Sequence, residues 1–286
     1  MTARLLDLLS GPAPVRAPLA LSPLMAKLAE KAGFEAVYLG GGGLGYQKVF
    51  LEGNLSLTEV AQLGTELAST TALPVIADIA SGWGDPMHLR RTVAVLEAAG
   101  VAAVELEDGR FPKPASHHVG HDEVVPQEVM EAKIRSAVAA RRDDGFLVIA
   151  RVTAGQHGQI DEVLRRAEAY RAAGADVLLP LAGVTDAATL TRVGEQLGPP
   201  LMYLAPPGGL ASVELSPAEM HAAGYRLLAD AMSLHVLVYE TLRRGYEQLA
   251  ADGFAIEPGR TKAEWWALLD DMHASIDLET LLDLER

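Results

Sequence analysis

Acidic side chains at the ends of apolar runs are the residues of this sequence best placed to do chemistry. The run Val104-Glu105-Leu106 closes in Glu107-Asp108 and leads through Gly109-Arg110-Phe111-Pro112 to Lys113-Pro114-Ala115-Ser116. A second run, Leu73-Pro74-Val75-Ile76-Ala77, closes in Asp78, and a third, Ile149-Ala150-Arg151-Val152, carries a cation. Asp78 and Glu107 suit Mg2+, a hard cation that takes one or two carboxylates and completes its shell with water and substrate oxygens. A dicarboxylate or a 2-oxo acid could complete that shell. Such acids also have a plainer use, as helix caps or partners of Arg and Lys. Arg151 has two readings as well. It is a bidentate clamp on a substrate carboxylate, or it pairs structurally with Glu107 or Asp108, because a charge in so apolar a run needs a partner.

The run Gly40-Gly41-Gly42-Gly43-Leu44-Gly45 offers backbone without side chains, so its N–H groups can reach a carboxylate or enolate oxygen. It also contains GxGxxG, the spacing of a dinucleotide-binding turn. That fingerprint opens a helix inside the motif, whereas here residues 46–50 intervene and the next helix is expected near Ser56. A plain flexible turn is the remaining reading. Further on, His117, His118, His121, Asp122 and Glu123 cluster at spacings that fit no familiar zinc set. A lid or solvated loop explains them better, since long strand-to-helix loops serve as covers. A histidine there could act as acid or base near neutral pH.

These residues need a scaffold that gathers strand ends. Apolar, β-branched runs at residues 17–22, 35–41, 74–80, 102–108, 146–152, 176–182, 200–206 and 225–231 alternate with segments at helical spacing. Several helices end in Ala-Gly, at Gly33, Gly100, Gly174 and Gly224, as left-handed caps require. Eight such units predict an α/β fold, a (β/α)8 TIM-type barrel over residues 1–252, with a doubly wound open sheet as the alternative. The active site of such a barrel lies at the C-terminal strand ends, where Tyr38, Asp78, Glu107 and Arg151 fall. Residues 253–286 form a helical extension whose Trp265, Trp266, Leu269, Ile276, Leu281 and Leu282 make an apolar stripe. That stripe must be buried, against its own barrel or a neighbouring subunit.

Composition narrows the field of partners. With 286 residues and 49% hydrophobic content the chain can build a large core. No apolar run approaches the ~20 residues that span a bilayer, and Met1-Thr2-Ala3-Arg4 opens no signal peptide, so a soluble cytoplasmic protein is expected. The absence of cysteine removes disulfides, thiolate metal sites and a cysteine nucleophile. A net charge of −14 opposes nucleic-acid partners and anionic membranes, and an anionic small substrate would need a local cationic pocket.

The order Glu107-Asp108, two residues, Phe111-Pro112-Lys113 and Ser116 resembles the phosphoenolpyruvate mutase/isocitrate lyase superfamily. The resemblance extends to residues 28–39, Leu57-Thr58-Glu59, residues 73–78, Gly82-Trp83-Gly84, Arg91-Thr92-Val93, Ile149-Ala150-Arg151 and residues 166–170. It implies a barrel whose C-terminal helices are exchanged between protomers of a homodimer or homotetramer. It also implies Mg2+ stabilising an enolate or related oxyanion of a small carboxylate. Asp78 and Glu107 would hold the metal, and Tyr38, Gly40, Gly41, Gly42, Trp83, Ser116 and Arg151 would line the substrate. Lys113 would act from a gating loop, with His117, His118 and Arg151 as further catalytic candidates.

Several positions depart from the family pattern. Its Asp-x-Asp reads Asp78-Ile79-Ala80 here, its strand-two Ser is Gly40, and an acid expected before Leu57 falls on Leu51, with Glu52 nearest. Lyases resembling this chain read Lys-Arg-Cys-Gly-His in the gating loop and phosphonate mutases read Lys-Thr-Asn-Ser. Here the loop reads Lys113-Pro114-Ala115-Ser116-His117, and a methyl group replaces both the proton-donating cysteine and the phosphoryl-handling asparagine. The expected activity is an Mg2+-dependent C–C lyase, including decarboxylase or hydrolase variants, on a small 2-oxo or 2-hydroxy carboxylate. A phosphonate enzyme and a non-catalytic barrel that binds a carboxylate or a protein partner are the alternatives.

Overall fold

Short strands and longer helices alternate along the chain as their periodicities require. The computed structural model describes residues 2–121, 123–154, 159–257 and 259–286, with the side chains of residues 2–4 and 118 outside the description. The strands are β1 (Val15–Pro18), β2 (Val37–Leu39), β3 (Val75–Asp78), β4 (Ala103–Glu107), β5 (Leu147–Arg151), β6 (Val177–Ala182), β7 (Leu201–Ala205) and β8 (Tyr225–Asp230). All eight pair in parallel, in the order β1-β8-β7-β6-β5-β4-β3-β2. A bridge between Leu19 and Tyr38 joins the two ends of that order, and the Ala20 N–H donates to the Tyr38 carbonyl at 2.9 Å. The result is a nearly closed (β/α)8 barrel, and the open doubly wound alternative is set aside.

The helices are α1 (Thr2–Leu9), α2 (Pro23–Lys31), α3 (Gly41–Gln47), α4 (Leu57–Thr70), α5 (Pro86–Ala98), α6 (Gln127–Val138), α7 (Ile160–Ala172), α8 (Ala187–Leu197), α9 (Pro217–Ala222), α10 (Ser233–Ala251), α11 (Lys262–Ser275) and α12 (Leu278–Leu284). Local chemistry sets their limits. Ser56 starts α4 with a capping box, its hydroxyl accepting the Glu59 N–H while the Glu59 carboxylate accepts the Ser56 N–H at 2.9 Å. Gly33, Gly100, Gly174 and Gly224 each take the left-handed backbone just past a helix.

Because side chains alternate along a strand, the barrel wall carries two apolar layers. One lies inside, where Tyr38, Ile76, Ala103, Leu147, Ile149, Val177, Leu179 and Met202 pack together with Leu5 and Leu9 of α1. The other lies between the strands and helices and includes Val37, Val75, Val104, Leu106, Val148 and Leu178. The inner layer gives out toward the C-terminal strand ends, where polar residues replace it.

By contact the chain divides into two compact units, Met1–Ser233 and Leu234–Arg286. Helix α10 therefore groups with the C-terminal helices, although the barrel was expected to run to residue 252. Along α10 no residue is buried, and Leu237, Leu242 and Tyr246 are all more than half exposed. Within the second unit, Thr261 caps α11 and the Arg260 guanidinium stacks on Trp265 at 4.7 Å. Among the described residues no helix is long and apolar enough to cross a membrane.

Candidate active site

Strand parity decides which acids enter the barrel. Glu105 and Glu107 lie two residues apart on β4 and share the inner face, whereas Leu106 and Asp108 take the outer one. Asp78 pairs in register with Glu105, and Glu107 with Arg151, so neighbouring strands deliver these side chains to one level. Asp108 is accounted for structurally. Its carboxylate accepts the Thr153 N–H at 2.7 Å, the Tyr170 hydroxyl at 2.8 Å and Arg166 Nη1 at 3.1 Å, all beneath α7.

Glu105 is the residue that the sequence reading missed. It is buried, accepts the Tyr38 hydroxyl at 2.6 Å on Oε2, and receives Arg151 Nη1 at 3.2 Å on Oε1. Arg151 was expected to clamp substrate or to pair with Glu107 or Asp108. It pairs with Glu107, whose Oε2 lies 3.8 Å from Nη1, and not with Asp108, while its direct hydrogen bond goes to Glu105. Counting back two positions from Glu107 would have found it.

The loop after β4 folds back over these acids. Lys113 places its ammonium between Glu107 Oε1, at 2.8 Å, and Glu52 Oε1, with its side chain almost wholly buried. Glu52 thus supplies an acid from the loop before α4, where Leu51 cannot. His117 Nε2 lies 3.5 Å from Glu52 Oε1 on the same side. The Ser116 hydroxyl donates to the His121 carbonyl at 3.4 Å, and the side chain of His118 lies outside the described residues. Two close approaches hold the arrangement together. A Cβ on Gly53 would stand 2.7 Å from the Lys113 carbonyl oxygen, and one on Gly109 would stand 2.8 Å from Glu107 Oε1.

The glycine run departs from expectation. Gly41–Gln47 is a short helix with Gly40 as its N-cap, so a helix does begin inside the GxGxxG spacing, within a barrel. Glycine is a poor helix former, and nothing local announces this turn. The Gly41 N–H donates to Asp78 Oδ2 at 3.1 Å, and a Cβ on Gly42 would lie 3.2 Å from Glu52 Oε2. Gly40 packs against the Tyr38 ring and Leu19. Beside Asp78, a cleft is lined by Gly41, Glu52, Leu55, Val60, Ile79, Trp83, Phe111 and Lys113. Trp83 is fixed there by its indole N–H, which donates to the Leu55 carbonyl at 2.6 Å.

Electrostatics follow from this crowding. Burial, with the Glu105 and Glu52 charges, pushes the Asp78 carboxyl up to about 7. Burial likewise raises Glu105, against the pull of Arg151. For Glu107 burial is outweighed by Lys113 and Arg151, and its pKa falls below the ordinary range. Burial disfavours the Lys113 ammonium, but Glu107 and Glu52 overcome it and hold its pKa above the ordinary value. Lys113 is therefore a fixed positive charge near neutral pH. Tyr38 stays a phenol, raised by burial and by the Asp78 and Glu105 charges.

Four carboxylates, Glu52, Asp78, Glu105 and Glu107, thus meet two cations, Lys113 and Arg151. Glu107 Oε2 is buried and accepts no hydrogen bond among the described residues. Among those residues no three His, Asp or Glu side chains converge to hold a metal by themselves. This donor set fits Mg2+, which needs few protein carboxylates, and does not fit zinc or another ion that demands a full cage.

The chain matches the family model described as phosphoenolpyruvate phosphomutase over residues 5–250. It belongs to the phosphoenolpyruvate mutase/isocitrate lyase superfamily. Within that superfamily it is 35% identical to the 2,3-dimethylmalate lyase of Eubacterium barkeri over 79% of this chain and 78% of that protein. It is 44% identical to the probable 2-methylisocitrate lyase 1 of Corynebacterium glutamicum, over 59% of this chain and 56% of that protein. That second match therefore spans little more than half of the relative's length. A crystal structure of phosphonopyruvate hydrolase in complex with oxalate and Mg2+ superposes with a TM-score of 0.81, at 27% identity, covering 96% of each chain.

Proposed function

We propose that this superfamily member is an Mg2+-dependent C–C lyase, in the broad sense that includes decarboxylation and hydrolysis, acting on a small 2-oxo or 2-hydroxy carboxylate. The observation that carries the reading is the buried, unpartnered Glu107 Oε2 beside Asp78, in a cluster with two more carboxylates than cations. When bound, the metal would be held by Asp78 and Glu107 and would supply the charge that lowers the energy of an enolate-like oxygen. The 2,3-dimethylmalate and 2-methylisocitrate lyases to which the chain is similar are named for small carboxylate substrates.

The chain's own residues divide the remaining work. Lys113, charged and buried, steadies developing negative charge and closes the cleft by docking its carbonyl over Gly53. It is not the proton donor, because its pKa is raised. His117, facing Glu52, is the side chain in position to deliver a proton to a carbanion. The cleft wall of Leu55, Val60, Ile79, Trp83 and Phe111 excludes water from that step.

A phosphonate substrate is the second reading, favoured by Phe111-Pro112-Lys113 and by the likeness to phosphonopyruvate hydrolase. Incubation with 2-methylisocitrate, 2,3-dimethylmalate, oxaloacetate and phosphonopyruvate, followed by 1H and 31P NMR, separates the two. Cleavage of a carboxylate without phosphate release is expected. Phosphate release from phosphonopyruvate alone would transfer the assignment.

The exposed apolar residues of α10 to α12 support a homodimer or homotetramer in which a second copy covers them.

A further inference from the structure

Glu105 has no role in the chemistry above, yet it is a buried carboxylate at the centre of the inner rim. Both of its oxygens are occupied by side chains assigned to the site, Tyr38 Oη at 2.6 Å and Arg151 Nη1 at 3.2 Å. The same Arg151 Nη1 stands 3.8 Å from Glu107 Oε2, too far for a hydrogen bond. Arg151 Nε and Glu107 Oε2 are both buried without hydrogen-bond partners among the described residues. A guanidinium this close to an unsatisfied carboxylate oxygen would close the gap unless something held it back. The only carboxylate oxygen that Arg151 meets at hydrogen-bond distance among the described residues is Glu105 Oε1. Glu105 is itself anchored through its other oxygen by Tyr38, which sits in the packed barrel interior.

We propose that Glu105 is a positioning residue for the metal centre: anchored by Tyr38, it holds the Arg151 guanidinium away from Glu107 and so leaves Glu107 Oε2 open to the cation. The inference rests on the reading of Asp78 and Glu107 as the Mg2+ site. Without Glu105, Arg151 would swing onto Glu107 Oε2 and compete with the metal for it. Outer partners that orient metal ligands commonly change metal affinity by about 10- to 100-fold.

The test is calorimetric titration of Mg2+ into the intact protein without oxalate, for wild type, Glu105→Gln and Tyr38→Phe, with melting temperatures recorded for each. Glu105→Gln is expected to raise the Mg2+ Kd by at least about tenfold. Tyr38→Phe removes no charge and only frees the anchor, and a smaller rise in the same direction is expected. An Mg2+ Kd in folded Tyr38→Phe equal to wild type would overturn the proposal even if Glu105→Gln binds weakly, because the effect would then be one of charge alone. Should Glu105→Gln fail to fold, Tyr38→Phe decides by itself. Wild-type protein that binds no Mg2+ would overturn the metal reading together with this inference, whereas wild-type binding with unchanged variants would overturn the inference only.

Discussion

At the scale of single residues, the site is a problem in repelling acids. The Asp78 carboxyl titrates near 7 in the folded, metal-free chain against an ordinary value of 3.8. The folded state therefore holds the extra proton between those values. The stabilisation from this group is complete at low pH, is lost as pH rises through the window, and is gone above about 7. Metal-free wild type should melt at a lower temperature near about pH 8 than near about pH 5, and Asp78→Asn should flatten that dependence in scanning calorimetry. Ala80 is a second pressure point. It stands in the left-handed region at φ +46, its N–H donates to Asp78 Oδ1 at 2.8 Å, and aspartate tolerates that backbone better than alanine. Ala80→Asp should tighten Mg2+ binding by roughly an order of magnitude in a calorimetric titration. The proton-delivery role is tested by replacing His117 and His118 together with glutamine. Turnover should fall by about 100-fold or more, and an unchanged rate would remove both from the mechanism. The acids at strand ends were legible because a charge that closes an apolar run is conspicuous. Glu105 was not, because it lies inside the run and only strand parity betrays it.

At the scale of elements, the loops after β2, β3 and β4 carry the site, and each is pinned by a contact that side-chain types alone do not announce. The β3 loop holds Trp83 in the left-handed region and is clamped by Lys133, whose ammonium donates to the Ser81 carbonyl at 2.8 Å, and by Thr92, whose hydroxyl donates to the Gly82 carbonyl at 3.2 Å. The β4 loop depends on the missing side chain of Gly53, where a Cβ would stand 2.7 Å from the Lys113 carbonyl. Gly53→Ala should therefore dislodge Lys113 and lower kcat by about 10- to 100-fold, with a lower melting temperature as well, because buried Glu52 and Glu107 lose their shared cation. A Gly53→Ala variant with wild-type kcat would show that the Gly53 contact does not set the position of Lys113. Strand positions were readable from β-branched runs bounded by Ala-Gly turns, and α4 from its Ser56 and Glu59 signature. The helix at Gly41–Gln47 was not, because glycine propensity argues against any helix there and tertiary placement against Asp78 decides it.

At the scale of the whole molecule, an overall charge of −14 surrounds a site that is itself rich in carboxylates. An anionic substrate then gains nothing from long-range attraction, and a divalent cation gains much. The C-terminal unit carries Trp265, Trp266, Leu237, Tyr246 and Leu284 as exposed apolar side chains, and the proposed homo-oligomer would cover them. Light scattering after size exclusion should give a multiple of the protomer mass, and Leu237→Glu combined with Trp266→Glu should shift it toward the single chain. A monomeric wild type would contradict this. The extension's helices were legible as an apolar stripe, and the long helix after the eighth strand from its helical spacing. The inner acids are proposed to hold a divalent cation, and that cation to receive a carboxylate-derived oxyanion. Calorimetric titration of oxalate, a mimic of that oxyanion, into wild-type protein with Mg2+ and with chelator tests this most directly. Saturable oxalate binding that requires Mg2+ is expected, and oxalate that binds equally well without metal, or not at all with it, would rule out the proposed metal site.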